Sequence, residues 1–258
     1  MQRKYGLIID IPKKEDNVLG GFTKSPEEIL QPDKDWTPYL PVKEYQNLNA
    51  IEPYACVSFT ILNCGEILIK KKYGIEKNYS DRFLAAISDT KNGGNSPKIV
   101  AQFLHELGVV PQELWPFDET ITSFEKFYEP IPEKLKELAK EFLNEFNFRY
   151  EFVKLNHKDI SKALTMSPLL MSVYAWILND KGLYYRPDGE TDIHATTLVY
   201  ERENEFRRVF DSYADGEGDP AIKDYDWNSL PKQVMRFYIS RKELKENWFI
   251  SFLKKLWS

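Results

Sequence analysis

Residues 54–73 read Tyr-Ala-Cys-Val-Ser-Phe-Thr-Ile-Leu-Asn-Cys-Gly-Glu-Ile-Leu-Ile-Lys-Lys-Lys-Tyr. A long apolar run that ends in three lysines is typical of a buried helix, because cations are favoured at a helix C-terminus. Cys56 lies at the start of this helix, where the positive end of the helix dipole stabilises a thiolate. By position alone core packing is the favoured interpretation for Cys56, and it is also the prediction for Cys64 in the middle of the helix.

The rest of the chain changes from helical patterns to strand patterns. Ser96 and Pro97 predict the start of a helix, and Pro132 and Asn156 predict two more. Later apolar runs predict strands at residues 169–177, 194–200, 206–210 and 233–239, the middle two joined as a β-hairpin. Helices first and strands later, without strand–helix alternation, predict an α+β fold.

We expect a single domain over residues 1–258. Its parts are an N-terminal arm (1–35), a mainly helical part (36–130), a mainly β part (131–240) and a C-terminal amphipathic helix (241–258). The C-terminal helix is expected to pack on its own domain, and docking to a partner or a membrane surface is the alternative.

The composition of the 258-residue chain excludes several classes of protein. The 35 basic and 40 acidic residues give a net charge of −5, without the clustered positive surface that nucleic-acid binding needs. No apolar run reaches the ~18 residues of a membrane span. Two cysteines cannot form a disulfide framework, so we expect a reducing compartment and a cytoplasmic location.

Only three histidines are present, and one differs from the others. His105 and His157 lie on predicted helices with charged neighbours, which is typical of surface residues. His194 opens an apolar strand, and Asp211 follows the hairpin partner, so the carboxylate could hold the imidazole in one orientation. No other His or Cys lies at metal-motif spacing from His194, and we expect neither a metal nor another cofactor.

The spacing of these residues suggests a family. His194 lies 138 residues after Cys56, and Asp211 lies 17 residues further on. Papain-like enzymes place their His and Asn roughly 130–150 residues after a Cys near the mature N-terminus. In order and spacing the chain resembles the papain family of cysteine peptidases.

Further motifs extend the resemblance over about residues 5–240. They are Tyr-Gly-Leu-Ile-Ile-Asp-Ile-Pro (5–12), Pro-Val-Lys-Glu-Tyr-Gln (41–46), Ala-Cys-Val-Ser-Phe (55–59), Asn-Gly-Gly (92–94), Trp-Pro-Phe (115–117), Pro-Leu-Leu-Met-Ser-Val (168–173) and Asp-Ser-Tyr (211–213). The resemblance implies two lobes, one helical and one an antiparallel sheet or barrel, with the active site in a cleft between them. It also implies that Gly93 and Gly94 pair with the backbone of a bound peptide.

The resemblance assigns roles to four residues and shows departures from the family. Cys56 is the implied nucleophile, His194 the acid and base, Asp211 the residue that fixes the ring, and Gln46 the side-chain donor to the oxyanion. The family's glutamine lies six residues before the nucleophile, where this chain has Ala50, so Asn47 and Asn49 are alternatives to Gln46. Asp211 stands where the family has Asn, Tyr213 replaces a Trp, and Pro53 replaces a disulfide cysteine.

The resemblance therefore implies a peptidase that hydrolyses peptide bonds through a covalent acyl-enzyme. The alternatives are a papain-like module that binds peptides without cleaving them, and another Cys–His acyl hydrolase of the cell-wall peptidase or transglutaminase type. The N-terminal arm is expected to anchor on the far side of the fold, and the alternative is that it covers the cleft as a short inhibitory segment.

Overall fold

The computed structural model describes residues 6–19, 30–174, 177–187, 189, 193–213 and 221–242. Its six α-helices in these ranges are α1 (Cys56–Tyr73), α2 (Asp81–Ile87), α3 (Pro97–Leu107), α4 (Phe124–Phe127), α5 (Glu133–Glu145) and α6 (His157–Leu164). The eight described strands are β1 (Phe146–Phe152), β2 (Leu169–Tyr174), β3 (Ile177–Leu178), β4 (Tyr184–Tyr185), β5 (Ile193–Arg202), β6 (Phe206–Phe210), β7 (Ile222–Asp226) and β8 (Val234–Arg241). Short 3-10 helices lie at Thr37–Tyr39, Leu48–Ala50 and Gln112–Leu114.

The eight strands form one sheet in the order β1-β8-β2-β5-β6-β7-β4-β3. The pairings are antiparallel except that between β4 and β7, which is parallel. Among the described strands the order has two ends, so the sheet is open and does not close into the barrel that was one form of the expectation. The mixed α+β class is confirmed.

Helix α1 forms the centre of the packing. All of its residues from Cys56 to Ile69 are buried, as the apolar run predicts. It packs against β5, β8 and β2 of the sheet and against α2 and α3. The helix ends at Gly74, whose φ of 65° is the left-handed C-cap conformation that glycine adopts without steric cost. The start of α1 is thus held at the edge of a buried core.

Several predicted elements are present with their predicted caps. The Ser96 side chain accepts a hydrogen bond from the Ile99 N–H at the start of α3, and the Asn156 side chain accepts one from the Asp159 N–H at the start of α6. The predicted hairpin is formed by β5 and β6, which pair in an antiparallel register.

Other boundaries differ from the expectation. The predicted strand 169–177 ends at Tyr174. The apolar face of the helix after Pro132 was expected to include Phe146, but α5 ends at Glu145 and Phe146 begins β1. Strands β1 and β7 were not predicted. Arg241 is the last residue of β8, so the predicted C-terminal helix does not begin there, and residues 243–258 lie outside the described ranges. No helix in the described ranges is long and apolar enough to cross a membrane.

Candidate active site

Cys56 is the first residue of α1 and is fully buried. The preceding turn is unusual because Tyr54 has a φ of 57°, a left-handed conformation that non-glycine residues seldom adopt. The Tyr54 N–H donates to the Glu52 carboxylate at 3.0 Å, which supports this turn from the side chain two residues earlier. The turn places the Cys56 sulfur at the positive end of an 18-residue helix.

His194 and Asp211 come from the two strands of the hairpin. Thr197 of β5 pairs with Phe210 of β6, so the next residue, Asp211, lies opposite Thr196. His194 is two residues before Thr196 and therefore on the same face of β5. His194 Nε2 and Asp211 Oδ1 are 2.7 Å apart, and both side chains are fully buried. The strand pairing therefore creates the His–carboxylate contact that the sequence pattern predicts.

The protonation of His194 reflects its neighbours. Burial opposes the charged imidazolium, but the charges of Asp211 and Cys56, and hydrogen bonds with both, raise the pKa of His194 to about 9. Burial would raise the pKa of Asp211, but its charge and hydrogen-bond interactions with His194 and Lys223 hold that pKa below its usual value. At neutral pH the site therefore holds an imidazolium beside the Asp211 carboxylate.

Lys223 is a further buried residue of this site that the sequence analysis missed. Its Nζ lies 2.5 Å from Asp211 Oδ2 and donates to the Tyr213 carbonyl at 3.0 Å. Neither the Lys223 nor the Asp211 side chain is exposed. The signal available in the sequence was the alternation of residues 222–226, which places Lys223 on the same face as Tyr225.

Tyr213 covers the other side of His194. The two rings meet edge to face, with centroids 5.0 Å apart and an interplanar angle of 70°. The Tyr213 hydroxyl donates to the carboxylate of Glu52, and its backbone N–H donates to Asp211 Oδ1 at 3.2 Å. An aromatic ring thus shields the imidazole where the papain family has a Trp.

Gln46 is bound to the segment that carries Asp211. Its backbone N–H donates to the Ser212 carbonyl at 2.8 Å, and its Nε2 donates to Ser212 Oγ at 3.0 Å. Asn49, an alternative candidate, instead donates its amide to the carbonyls of Asp118 and Ile121. The Gln46 amide is therefore bound beside Asp211, whereas the Asn49 amide is bound to a different segment.

Gly93 and Gly94 both have positive φ values, 107° and 99°, in the loop before α3. The N-terminal arm lies against this loop. The Asn95 N–H donates to the Gly6 carbonyl at 3.0 Å, and the Ile8 N–H donates to the Asn95 carbonyl at 3.0 Å. A Cβ on Gly94 would lie 1.7 Å from the Gly6 oxygen, so this approach requires glycine.

The same arm segment reaches the residue before His194. The Leu7 N–H donates to the Ile193 carbonyl at 3.3 Å, and Leu7 pairs with Asn95 in a parallel bridge. A Cβ on Gly6 would lie 2.4 Å from the Tyr54 carbonyl oxygen, two residues before Cys56. The expectation that the arm anchors on the far side was therefore wrong for residues 6–8, because Leu7 bonds the residue before His194 and Gly6 lies against the backbone two residues before Cys56.

A search of the described residues for groups of three or more His, Cys, Asp and Glu arranged to hold a metal ion finds none. Both cysteines are free thiols and both are buried. The chemistry that the site can support is that of a thiol, an imidazole and their hydrogen-bond partners.

Solved structures similar to this chain include cysteine proteases. Xylellain, a cysteine protease from Xylella fastidiosa, aligns over 95% of this chain and 99% of its own with 19% identity and a TM-score of 0.64. The bromelain protease from Ananas comosus aligns over 82% of this chain and 98% of its own with 16% identity and a TM-score of 0.57. The cysteine protease and lectin-like domains of Cwp84 from Clostridium difficile align over 94% of this chain and 57% of their own, with 14% identity and a TM-score of 0.66.

These likenesses define the class of fold: the chain has the fold of papain-like cysteine proteases. No protein-family model matches the sequence, and no curated protein sequence matches it. Identities of 14–19% support a shared fold but not a shared activity. The activity is therefore inferred from the geometry of the site.

Proposed function

We propose that this protein is a cysteine peptidase that cleaves peptide bonds through a covalent acyl-enzyme, with Cys56, His194 and Asp211 as its catalytic triad. The observation that carries this proposal is the position of His194, which lies 2.7 Å from Asp211 Oδ1 and interacts electrostatically with Cys56 in one buried site. A nucleophile, a base and an orienting carboxylate in this order are what thiol-based acyl transfer requires.

In the proposed reaction the Cys56 thiolate attacks the carbonyl carbon of the peptide bond, and a C–S bond forms as the carbonyl oxygen becomes an oxyanion. When the C–N bond breaks, the His194 imidazolium gives its proton to the leaving amine. Water then attacks the thioester and transfers a proton to His194, and the thiolate is released with the carboxylic acid. Because the pKa of His194 is raised to about 9, we expect activity to decline as the pH rises through that value.

The oxyanion requires hydrogen-bond donors. In the proposal the backbone N–H of Cys56 and the side-chain amide of Gln46 supply them, and one such donor typically contributes about 3 kcal/mol. The support for Gln46 is its attachment to Ser212, the residue between Asp211 and Tyr213.

The arm segment 6–8 indicates where a peptide would lie. An extended piece of this chain already uses backbone groups of Asn95 and Ile193 and closely approaches Gly94, which are the contacts that strand addition by a peptide substrate would use. We propose a substrate groove along this path, with Gly93 and Gly94 at its wall. The two-lobed division with a cleft, and the domain boundaries given above, stay predictions.

Cys56 and His194 have no exposed surface, and in the proposal the arm withdraws before a substrate reaches them. The protein as described is therefore a covered form of the proposed enzyme. A cytoplasmic location stays a prediction from the low cysteine count, and so does a docking partner for the C-terminal helix.

The function is tested by incubating the full chain with a fluorogenic peptide library and comparing Cys56→Ala with the matched variant Cys64→Ala. We expect cleavage by the wild type and by Cys64→Ala, and loss of cleavage in Cys56→Ala, with alkylation by iodoacetamide confined to Cys56. Cleavage that survives Cys56→Ala would refute the proposal. Binding of peptides without cleavage by the wild type would favour the non-catalytic module.

The covering role of the arm is tested by Gly6→Ala, since the added Cβ would collide with the Tyr54 backbone, which cannot move as a side-chain end would. We expect peptidase activity and the rate of Cys56 alkylation to rise several-fold. Ile11→Ala, on the same arm with the Ile11 side chain 83% exposed, is the control and should change neither. An unchanged alkylation rate in Gly6→Ala would show that this segment does not limit access.

A further inference from the structure

The replacement of the family's Asn by Asp211 creates a problem of charge in the proposed site. With a neutral amide, a thiolate and an imidazolium balance each other. With Asp211 ionised, Cys56 and Asp211 would carry two negative charges against the single positive charge of His194, in a site without solvent exposure. An uncompensated buried charge is costly, so a further cation is required for this arrangement.

Lys223 supplies that cation from a separate strand. Strand β7 pairs with β6 so that Lys223 lies opposite Val209, and the Asp211 N–H donates to the Ala221 carbonyl at 2.6 Å. This pairing aims the Lys223 side chain at the residues that follow β6. Its Nζ then bonds both the Asp211 carboxylate, at 2.5 Å, and the Tyr213 carbonyl, at 3.0 Å.

We propose that Lys223 is a positioning residue of the active site, which neutralises Asp211 and holds the segment 211–213 so that an aspartate can serve as the third member of the triad. This inference rests on the proposed function. Asp211 uses one carboxylate oxygen for His194 and the other for Lys223, so the two cations are bound at opposite oxygens of one anion. The four groups Cys56, His194, Asp211 and Lys223 then sum to zero charge with the thiolate formed.

The two contacts of Lys223 have different consequences. The bond to Asp211 sets the charge at the imidazole, and the bond to the Tyr213 carbonyl fixes the residue whose ring covers His194. Around this group lie Cys56 from α1, His194 from β5, and Glu52, which accepts from the Tyr213 hydroxyl. Glu52 is a further charged group at this site, and its carboxylate contacts Tyr213.

The test is a double-mutant cycle of the full chain with Lys223→Met, Asp211→Asn and the two combined. Methionine keeps the length of the lysine side chain without its charge, and asparagine keeps the shape of the carboxylate. We expect each single variant to lose at least ~10-fold in kcat/KM, because each leaves a buried charge without its partner. The double variant removes both charges together and should be more active than either single variant.

A second measurement does not depend on peptidase activity. The pKa of His194 can be followed by NMR titration, since the chain has only three histidines. Removing the positive charge of Lys223 should raise the pKa of His194, and Asp211→Asn should lower it. The matched control is Arg208→Met, which removes a cation paired with Asp224 across the same two strands and should leave the pKa of His194 unchanged.

The outcomes separate this inference from the proposed function. An unchanged pKa of His194 in Lys223→Met, or a double variant whose loss equals the product of the single losses, would overturn the role of Lys223 while Cys56-dependent cleavage stands. If the wild type cleaves no peptide, the titration alone still decides whether Lys223 balances the charge of Asp211. Should Lys223→Met fail to fold, recovery of the fold in the double variant supports the inference, and failure of both refutes it.

Discussion

Helix α1 carries one member of each of two buried clusters of ionisable groups. Cys56 at its first residue belongs with His194, Asp211 and Lys223, and Glu66 lies ten residues later, about 15 Å along the axis. The second cluster consists of carboxyl groups, namely those of Glu44, Glu66 and Asp81. Glu66 and Asp81 are buried like the groups of the first cluster, while Glu44 is partly exposed. The first cluster combines Asp211 with the cations His194 and Lys223, and the second consists of acids.

The two buried aspartates show what the difference means. Burial raises the pKa of Asp81, and the charges of Glu44 and Glu66 and a hydrogen bond that Asp81 donates to Glu44 raise it well above its usual value. Asp211 is buried just as completely, yet His194 and Lys223 hold its pKa below the usual value. Burial alone therefore does not decide the ionisation of an acid, and the neighbouring charges determine its direction.

The largest effect is expected for Asp211→Ala. Removal of the carboxylate leaves Lys223 and the His194 imidazolium buried without an anion, so we expect a loss of about 3–5 kcal/mol of unfolding free energy. We also expect kcat/KM to fall at least ~10³-fold, because the imidazole loses the group that orients it. Urea unfolding and steady-state kinetics measure the two effects.

The control for this substitution is Glu137→Ala, whose side chain is 62% exposed in an ion pair with Lys140 on α5. It should change the stability by no more than about 0.5 kcal/mol. If Asp211→Ala behaved like Glu137→Ala, the buried network would contribute nothing to the fold or to catalysis.

Asp81→Asn tests the second cluster, in which the pKa of the buried aspartate is raised and not lowered. Because the folded-state pKa of Asp81 is raised, the folded state favours the protonated acid, and stability is lost as the pH rises above the unfolded-state value of about 3.9. The neutral amide removes this loss, so the variant should be more stable than the wild type by about 1–2 kcal/mol at pH 8, and the gain should disappear near pH 4. Unfolding measured at both pH values tests this, and a gain of equal size at both would contradict it.

The smallest effect is expected at an exposed ion pair. Lys140 and Glu137 lie 2.7 Å apart on α5, with side chains 55% and 62% exposed. Solvent screens such a pair, so Lys140→Ala should change the free energy of unfolding by less than about 0.5 kcal/mol. A loss as large as that of Asp211→Ala would mean that burial is not what distinguishes the two ion pairs.

Much of the fold could be predicted from local sequence patterns. The apolar run after Tyr54 predicted α1, and the caps Ser96 and Asn156 predicted α3 and α6, because hydrophobic period and capping act over a few residues. Strand β1 was missed, although Phe146, Phe148 and Phe152 line one face of it, because its first residue also continued the apolar face of α5.

The candidate site, like the fold, was predictable from the sequence only in part. The order and spacing of Cys56, His194 and Asp211 were visible in the sequence, and in the structure His194 lies 2.7 Å from Asp211 Oδ1. Lys223 was overlooked, since a lysine beside aspartates, in Ile-Lys-Asp-Tyr-Asp, is typical of a solvent-facing position. Its partner Asp211 lies twelve residues earlier, and only the pairing of β6 with β7 brings the two together.

The sequence by itself determined the α+β class, the buried nucleophile helix and the order of the candidate catalytic residues, because these depend on local periodicity and on linear spacing. Tertiary structure decided three other features: the balance of charge around Asp211, the attachment of Gln46 to Ser212, and the path of residues 6–8 across the loop at Gly94. Each depends on backbone and side-chain groups from segments that are distant in the chain. Their hydrogen bonds and charges interact only when the sheet and α1 have packed together.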